Sequence, residues 1–493
     1  AAKVPTNGLN HGIPFFSDTT NGSIYTHDVS GTDDTAQYNT AFGLVALDAI
    51  TTGDHNTVLG YQAGSAITTG SGNIAIGSFS LDANATADDN TAMGQSALGQ
   101  NTTGASNTGL GRSALTANTE GDNNTAIGKD AMIANTTGTR NIAVGALSYD
   151  AADTENDNIA IGYAALGGSV AGGEYNVAIG NYAGDAITSA DLSVLVGYQA
   201  GTAITTGTEN MCIGAQAGQS LTTGTRTTLI GRAAGYNYDA ENDNLAIGYF
   251  ALGGVVNGGE FNVAIGNYAL DALTSADSNT AVGYNAGSSI TTGGGNVFIG
   301  HETGVNSIAV DTGTDNILIG FQARANQTSA ANQISLGKQI TCQGDNNFTF
   351  GNGATDSNIV FGGQSITAPS DERYKEEIAT STAGLSFIND LRPVTFKWKK
   401  EKDLPSDHES YVEGSDTRVM LSTGETNHGF IAQEVKAAID AHSEIKDGFK
   451  MWSEEQRYDI DGNVIAGGRQ RVAFSELIPV LTKAVQELSA QVT

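Results

Sequence analysis

The chain has 493 residues, of which 64 are glycine and only 6 are proline, and its 53 acidic against 23 basic side chains give a formal net charge of −30. This charge argues against a nucleic-acid partner, whose phosphates need a basic surface, and against adhesion to bare anionic lipid. The two cysteines, Cys212 and Cys342, do not form a metal-binding or disulfide pattern, and no run approaches the roughly 18 apolar residues of an ordinary membrane span.

Residues 1–36 are predicted to form an N-terminal cap or connector. The first five residues, Ala1–Pro5, contain no hydrophobic segment of the kind found in a signal peptide. These residues resemble the interior of a longer protein, so we expect further chain before residue 1.

Residues 37–353 are organised as a repeat. A glycine recurs every 17 residues from Gly43 to Gly162, and the series continues to Gly351 with small changes of spacing. Asn lies four positions before 16 of these 19 glycines, and Glu155–Gly162 returns 86 residues later as Glu241–Gly248. A unit of this size cannot bury its own apolar face, so neighbouring units must stack. Because glycine and β-branched residues crowd every unit, we predict strands rather than helices.

The repeat motif also predicts two different strand faces. In Asn176–Gly180, Val177 and Ile179 share one face, while Asn176, Ala178 and Gly180 share the other. We interpret the large aliphatic face as the interior of each coil, and the small face as the place where another backbone approaches, as at a subunit contact. The glycine supplies a turn at positive φ or removes a clashing Cβ, and the asparagines are expected to stack in a ladder.

These Asn-x-Ala-Ile-Gly units resemble the head repeats of trimeric autotransporter adhesins and the shafts of some phage tail fibres. The resemblance covers about residues 37–353. It implies a mainly β fold, in which each chain forms a left-handed parallel β-roll, or β-solenoid, and three chains wrap around one axis. Adhesin heads commonly use shorter units, so longer turns are expected here.

The composition changes near Pro369. No proline occurs between Pro14 and Pro369, which agrees with backbone ladders that use nearly every N–H. Residues 1–369 hold 8 basic and 31 acidic side chains, whereas residues 370–493 hold 15 and 22. We therefore predict a linker over residues 354–369 and a separate α+β domain over residues 370–493.

Three segments of this domain have helical or strand patterns. Residues 384–398 predict a short amphipathic helix, a proline-marked break and a strand, and residues 428–435 run into a second helix. In the last predicted helix, Leu477, Leu481, Ala484 and Leu488 have the three- and four-residue spacing that suits a three-stranded helical bundle.

Three motifs occur in order in this domain: Ser-Asp-x-Arg-x-Lys from Ser370, Leu-Arg-Pro-Val-x-Phe-x-Trp from Leu391 and Gly-Phe-Ile-Ala-Gln-Glu-Val from Gly429. Together they resemble the intramolecular chaperone of phage endosialidases and tail fibres, a peptidase family also seen in a membrane-tethered myelin transcription factor. The resemblance implies that a Ser–Lys dyad cuts the chain once the trimer has formed. Carried over, Ser370 is the nucleophile, Lys375 is the general base, and the scissile bond joins Pro369 to Ser370.

The implied chemistry is sound but needs a particular geometry. A serine hydroxyl is a weak nucleophile until a base takes its proton, and a lysine can be that base when burial or nearby positive charge favours its neutral form. Five residues correspond to about 140° around an ideal helix, so one regular helix would not bring Ser370 and Lys375 together. Glu376 and Glu377, if close, would keep the lysine charged. A non-helical turn or a second chain must therefore assemble the site.

The same residues have structural interpretations. Ser370 followed by acidic residues is also a helix N-cap pattern, although the three-motif match favours the nucleophile. His428 is more often a hydrogen-bonding residue than a catalyst, and the Gln-Glu pair at 433–434 could hold a strand–helix corner or support an oxyanion. The residues that could support the dyad are Asp371, Arg373, His428, Gln433 and Glu434.

No metal or cofactor is predicted. Acidic turns such as Glu241–Asn244 lack the spacing of known Ca²⁺ loops, which favours solvated turns. Aromatic residues recur just after the repeat glycine, for example Tyr163, Tyr182 and Tyr198. They could bind a glycan, but we favour packing against an adjacent chain.

The preferred interpretation is a homotrimeric fibre of a virus or phage, made in the host cytoplasm and located on the virion. Such a fibre would join other virion or tail components through its N-terminus and attach to a host surface receptor or glycan. A bacterial surface adhesin of similar architecture stays open as an alternative. An ice-binding solenoid is suggested by the Thr-Thr-Gly turns, but adjacent threonines point to opposite faces and do not build a flat array.

Overall fold

The computed structural model describes residues 16–18, 22–26, 35–255, 257–305, 310–353, 355–362, 375–406, 411–419, 424–446, 449–454, 457–458, 464–465 and 470–492. The chain divides into two compact units, residues 1–369 and 370–493. Each unit is considered by itself. None of the helices in the described part of the chain has the length and hydrophobicity needed to cross a bilayer.

The first unit is a β-solenoid in which each coil contributes one short strand. Strands β3 to β21 pair in parallel with the strand of the next coil, so that, for example, Ala160 of one coil lies beside Ala178 of the next. At the two ends the pairing is antiparallel, between β1 and β2 and between β21 and β22. The predicted parallel β-solenoid of 17-residue repeats is therefore confirmed.

The strand bounds of this unit follow in chain order: Phe16–Asp18 (β1), Ser23–Tyr25 (β2), Thr40–Phe42 (β3), Thr57–Leu59 (β4), Ile74–Ile76 (β5), Thr91–Met93 (β6), Thr108–Leu110 (β7), Thr125–Ile127 (β8), Ile142–Val144 (β9), Ile159–Ile161 (β10), Val177–Ile179 (β11), Val194–Val196 (β12), Met211–Ile213 (β13), Thr228–Ile230 (β14), Leu245–Ile247 (β15), Val263–Ile265 (β16), Thr280–Val282 (β17), Val297–Ile299 (β18), Ile317–Ile319 (β19), Gln333–Lys338 (β20), Asn347–Asn352 (β21) and Thr355–Val360 (β22).

The faces of the coil strands are the reverse of the sequence-based expectation. Ala178, in the middle of β11, is fully buried and so is the Asn176 that precedes it, whereas Ile179 is 37% exposed. The prediction that the large aliphatic face is the interior was therefore wrong. A three-residue strand sends only its central side chain inward, and the opposite wall of the coil is so close that only a small residue fits there in most coils.

Most coils also hold a large apolar side chain inside, at one or both of two positions after the repeat glycine. Some coils have glycine at the fourth residue after the repeat glycine and a large residue three further on, as in Gly64 and Ile67. Others have leucine and then asparagine, as in Leu98 and Asn101. A Cβ on Gly64 would lie 2.9 Å from Cδ1 of Ile67, so in this coil the two positions share one space, whereas Leu47 and Ile50 are both buried in the first coil. The exchange keeps the interior close-packed.

The buried asparagines form the expected ladder. The backbone N–H of Asn56 donates to Oδ1 of Asn39 at 2.9 Å, and Nδ2 of Asn56 donates to the carbonyl oxygen of Gly70 at 2.9 Å. The same pattern recurs along the solenoid, for example at Asn107 and Asn124. Because each amide is fully buried, these hydrogen bonds offset the cost of removing it from water.

The repeat glycines form a column of close backbone contacts. Gly180 has a φ of 137°, and a Cβ placed on it would lie 2.6 Å from the carbonyl carbon of Gly197 in the next coil. An alanine therefore meets both an unfavourable backbone conformation and a backbone clash that a side-chain rotation cannot relieve.

Gly180→Ala is expected to destabilise the solenoid by at least about 2 kcal/mol. The matched control is Gly172→Ala, because Gly172 also has a positive φ, 102°, but no atom lies within 4 Å of the position that a Cβ would take there. Guanidinium unfolding followed by circular dichroism compares the two. Equal midpoints for both variants would contradict the clash.

The second unit is a small α+β domain. Its helices are Leu385–Asp390 (α1), Ala432–Ala441 (α2) and Leu477–Val492 (α3), and single 3₁₀ turns lie at Glu401–Asp403 and Phe474–Glu476. Its strands are Val394–Phe396 (β23), Asn427–Gly429 (β24), Trp452–Glu454 (β25), Arg457–Tyr458 (β26), Val464–Ile465 (β27) and Gln470–Val472 (β28), paired antiparallel as β23–β24, β25–β28 and β26–β27. The predicted order of helix, break and strand over residues 384–398 is confirmed.

The last helix, α3, has two apolar faces. Val480 and Ala484 are buried in the domain core with Phe387 and Ile439, whereas Leu481 and Leu488 are exposed. The predicted bundle stripe of Leu477, Leu481, Ala484 and Leu488 was therefore wrong at Ala484, which is buried in its own domain, and Leu477 also packs against the core. The exposed apolar residues of α3 are Ile478, Leu481, Val485, Leu488 and Val492.

Candidate functional site

The second and third family motifs meet in the folded domain. Strand β23 carries the Pro-Val-x-Phe segment and pairs with β24, so that Val394 lies opposite Gly429 and Thr395 opposite His428. The Arg392 guanidinium forms two hydrogen bonds with the carboxylate of Glu434, with Nε 2.9 Å from Oε2. This pairing lowers the pKa of Glu434. It ties the first turn of α2 to the residue before the proline break.

A cavity opens beside this strand pair. It measures about 570 Å³ and is lined by Pro393, Val394, Thr395, His428, Gly429, Phe430 and Phe474. His428 is exposed on β24, and the rings of Phe430 and Phe474 lie 6.0 Å apart. The strand pair therefore presents an apolar surface with one imidazole at its side. Gln433 is exposed in the first turn of α2.

The predicted cleavage residues are only partly within the described chain. Pro369, Ser370, Asp371 and Arg373 lie outside the described residues. Lys375 is described, and its side chain is exposed in a segment without helical structure that precedes α1. The expected dyad between Ser370 and Lys375 thus stays a prediction.

The segment after Lys375 is also exposed to solvent. Glu376 and Glu377 are exposed, and Ile378 exposes 64% of its surface, which is a large fraction for an aliphatic residue. Glu377 has a positive φ of 54°. These side chains do not lie in the core of their own chain.

Helix α1 is held in place by residues distant in sequence. The backbone N–H of Leu385 donates to the Glu487 carboxylate of α3 at 2.8 Å. His442, after α2, has Nε2 2.8 Å from Oδ2 of Asp390 and Nδ1 3.0 Å from Oε1 of Glu444. The hydrogen bonds to Asp390 and Glu444 raise the pKa of His442. Sequence reasoning missed these contacts because their partners lie up to 102 residues apart.

A second cavity lies beside α2. It measures about 260 Å³ and is lined by Lys436, Ile439, Lys446, Phe449, Lys450 and Trp452. Nζ of Lys436 lies 5.2 Å from the centre of the Trp452 ring and pairs with Asp440. We refer to these six residues as the lysine pocket. Its members all lie within residues 436–452, but the sequence pattern of this stretch did not single them out.

The acidic turns of the solenoid bind backbone amides. The Glu241 carboxylate accepts hydrogen bonds from the N–H groups of Asp239 at 2.9 Å and Gly258 at 3.0 Å, and Glu155 makes the equivalent bond with Gly172. In the part of the chain that the structure describes, no three His, Cys, Asp or Glu side chains are grouped so that they could hold a metal ion.

Aromatic rings form a ladder near one end of the solenoid. The ring centres of Tyr249 and Tyr268 lie 5.2 Å apart, those of Tyr284 and His301 5.1 Å apart, and those of His301 and Phe321 5.3 Å apart. Tyr284 and Phe321 are more than 40% exposed. The expected packing of such rings against an adjacent chain stays a prediction.

Residues 370–444 match the sequence model of a peptidase family described as the chaperone of endosialidase. The matched region contains all three motifs and ends just after α2. The family recognised from those motifs is thus confirmed for this region. No curated protein and no solved structure matches the chain.

Proposed function

We propose that this phage-tail-fibre-like protein, with its β-solenoid shaft and its C-terminal chaperone region, is a homotrimeric viral fibre that matures by cutting itself between Pro369 and Ser370. The chaperone domain aligns three chains, the shafts then wind together, and the cut releases the domain. The observation that carries the proposal is the outward face of strands β3–β19.

That outward face consists of two continuous columns of apolar and threonine side chains. In each of these strands the first and third residues point outward, and none of them is charged. Ile74, Ile127, Ile179 and Ile299 each expose 36–38% of their surface. Monomeric soluble proteins rarely expose an apolar patch larger than a few hundred Å². In a chain with a net charge of −30, this uncharged face is where further copies can approach without charge repulsion.

The second unit has a matching exposed stripe on α3. Ile478, Leu481, Val485, Leu488 and Val492 alternate at spacings of three and four residues, the heptad pattern of a coiled coil. β-Branched residues followed by leucine favour two strands in isolated coiled coils, so the helix does not by itself set the number of chains.

The cleavage chemistry follows from the order of the residues. Oγ of Ser370 attacks the carbonyl carbon of Pro369, its proton passes to Lys375, and the peptide C–N bond breaks as an ester forms. The proton returns to the freed amine of Ser370, and water then hydrolyses the ester. Lys375 is solvent-exposed in the single chain. A water-poor site that favours its neutral form is therefore completed by a neighbouring chain.

The fibre would attach to a host cell through a surface receptor or glycan and would join other virion or tail components by its N-terminal end. The exposed rings of Tyr284 and Phe321 support a role of the shaft surface in contacts with other molecules. The mature protein would then be located on the virion.

The test is expression of the intact chain followed by mass spectrometry and analytical ultracentrifugation. We expect two fragments, residues 1–369 and 370–493, and a trimeric shaft. A monomeric shaft at micromolar concentration that keeps its strand signal in circular dichroism would contradict the trimer. An uncut chain, or a cut at another bond, would contradict the cleavage.

A further inference from the structure

The lysine pocket combines three positively charged side chains with an apolar surface. Three ammonium groups, from Lys436, Lys446 and Lys450, surround Ile439, Phe449 and Trp452. Lys436 is paired with Asp440, and among the described residues no carboxylate pairs with Lys446 or Lys450. Lys446 and Lys450 are both exposed, and two ammonium groups at one small cavity repel each other. A bound anion would relieve this repulsion.

The shape of the pocket adds a second requirement. The indole ring of Trp452 and the ring of Phe449 line the same cavity of about 260 Å³, and a large aliphatic side chain fits such a space. The complementary ligand therefore carries two negative charges next to one bulky apolar group. An acidic peptide with an adjacent aliphatic residue has this chemistry.

The chain itself contains such a segment in an exposed position. Glu376 and Glu377 supply two carboxylates, and Ile378 supplies an aliphatic side chain that is 64% exposed. Because all three side chains are exposed, this segment does not occupy the pocket of its own chain. We propose that Glu376–Ile378 of one copy docks into the lysine pocket of a neighbouring copy in the trimer.

Docking would couple assembly to cleavage. Glu376 and Glu377 directly follow Lys375, which is exposed in a segment without helical structure in the single chain. When the two carboxylates pair with Lys446 and Lys450 of the neighbouring copy, this segment becomes fixed and Lys375 is held in one position. The pocket lysines are thus positioning residues, and the inference rests on the proposed self-cleavage.

The experiment uses charge exchange in the full chain. Lys446→Glu/Lys450→Glu is expected to slow cleavage about tenfold or more, and Glu376→Lys/Glu377→Lys is expected to slow it similarly. Combining all four changes restores the opposite charges, so cleavage should recover to within about threefold of the original rate. Lys446→Arg/Lys450→Arg keeps both positive charges, so it should slow cleavage much less than the glutamate variant does. Lys397→Glu/Lys399→Glu, on an exposed segment after β23, is the control for net charge.

Cleavage rates are read from denaturing gels, and assembly from ultracentrifugation of the same samples. If the unaltered chain is not cut before Ser370, the proposed self-cleavage itself fails. If it is cut, but the Lys446/Lys450 variant is cut equally fast or the four-fold exchange gives no recovery, the docking is wrong. If the double variants do not assemble, the four-fold exchange still tests the docking. Recovery of both assembly and cleavage in that variant supports docking, and failure to recover overturns it.

Discussion

In Ser370→Ala the full 493-residue chain is expected to persist uncut and still to form trimers. The change removes the hydroxyl that we propose attacks the Pro369 carbonyl, so cleavage should fall by more than about a thousandfold. Lys375→Ala should have an effect of similar size, because the hydroxyl then lacks a base. The apolar stripe on α3 and the outward face of the shaft strands are unchanged in both variants, so assembly should not suffer.

Denaturing gel electrophoresis with N-terminal sequencing measures this result. Ser370→Cys is the matched control, since a thiolate can replace the hydroxyl and some cutting at the same bond should return. The uncut variants should also refold more readily after denaturation, because the mature shaft has lost the domain that assembled it and persists for kinetic reasons. A cut at full rate in Ser370→Ala would refute the assigned nucleophile.

A chain that ends at Pro369 is expected to yield aggregated or unassembled shaft. Neighbouring coils are nearly identical, so three shafts that slip past one another by a whole repeat keep almost every contact. In the proposed assembly, a separate trimerising domain aligns the chains before the shafts wind together. Ser370→Ala is the control, because it keeps the domain attached.

Size-exclusion chromatography with light scattering compares the truncated chain with this control. The soluble trimer fraction should fall by about tenfold or more on truncation. A truncated chain that gives soluble trimers of native length in good yield would show that the shaft sets its own register, and the chaperone role would be lost.

The period, the strands and the turn glycines of the shaft were predictable because they depend on neighbours within one repeat. Which face of each strand points into the coil was not predictable. A period of two separates Val177 and Ile179 from Ala178, but it does not say which side is inside. That depends on the opposite wall of the coil, which the sequence does not place.

The part of the candidate site that is formed by the three family motifs was predictable from their order in the sequence. The pairing of β23 with β24 brings two of those motifs together. The contacts of Asp390 with His442 and of Leu385 with Glu487 could not be foreseen, because each joins residues more than 50 positions apart. The same holds for the inward face of α3, where Ala484 fits a heptad spacing but is covered by the core of its own domain.

The close stacking of the repeat glycines also fixes the length that each coil adds to the shaft. Each coil adds about 4.8 Å, the distance between hydrogen-bonded strands, and contacts only the coil on either side of it. Whole coils can therefore be added or removed without changing any other packing. Glu155–Gly162 is nearly repeated 86 residues later, at Glu241–Gly248, and this offset equals five 17-residue coils and one extra residue. The length of the shaft can therefore change in units of one coil while its two ends stay the same.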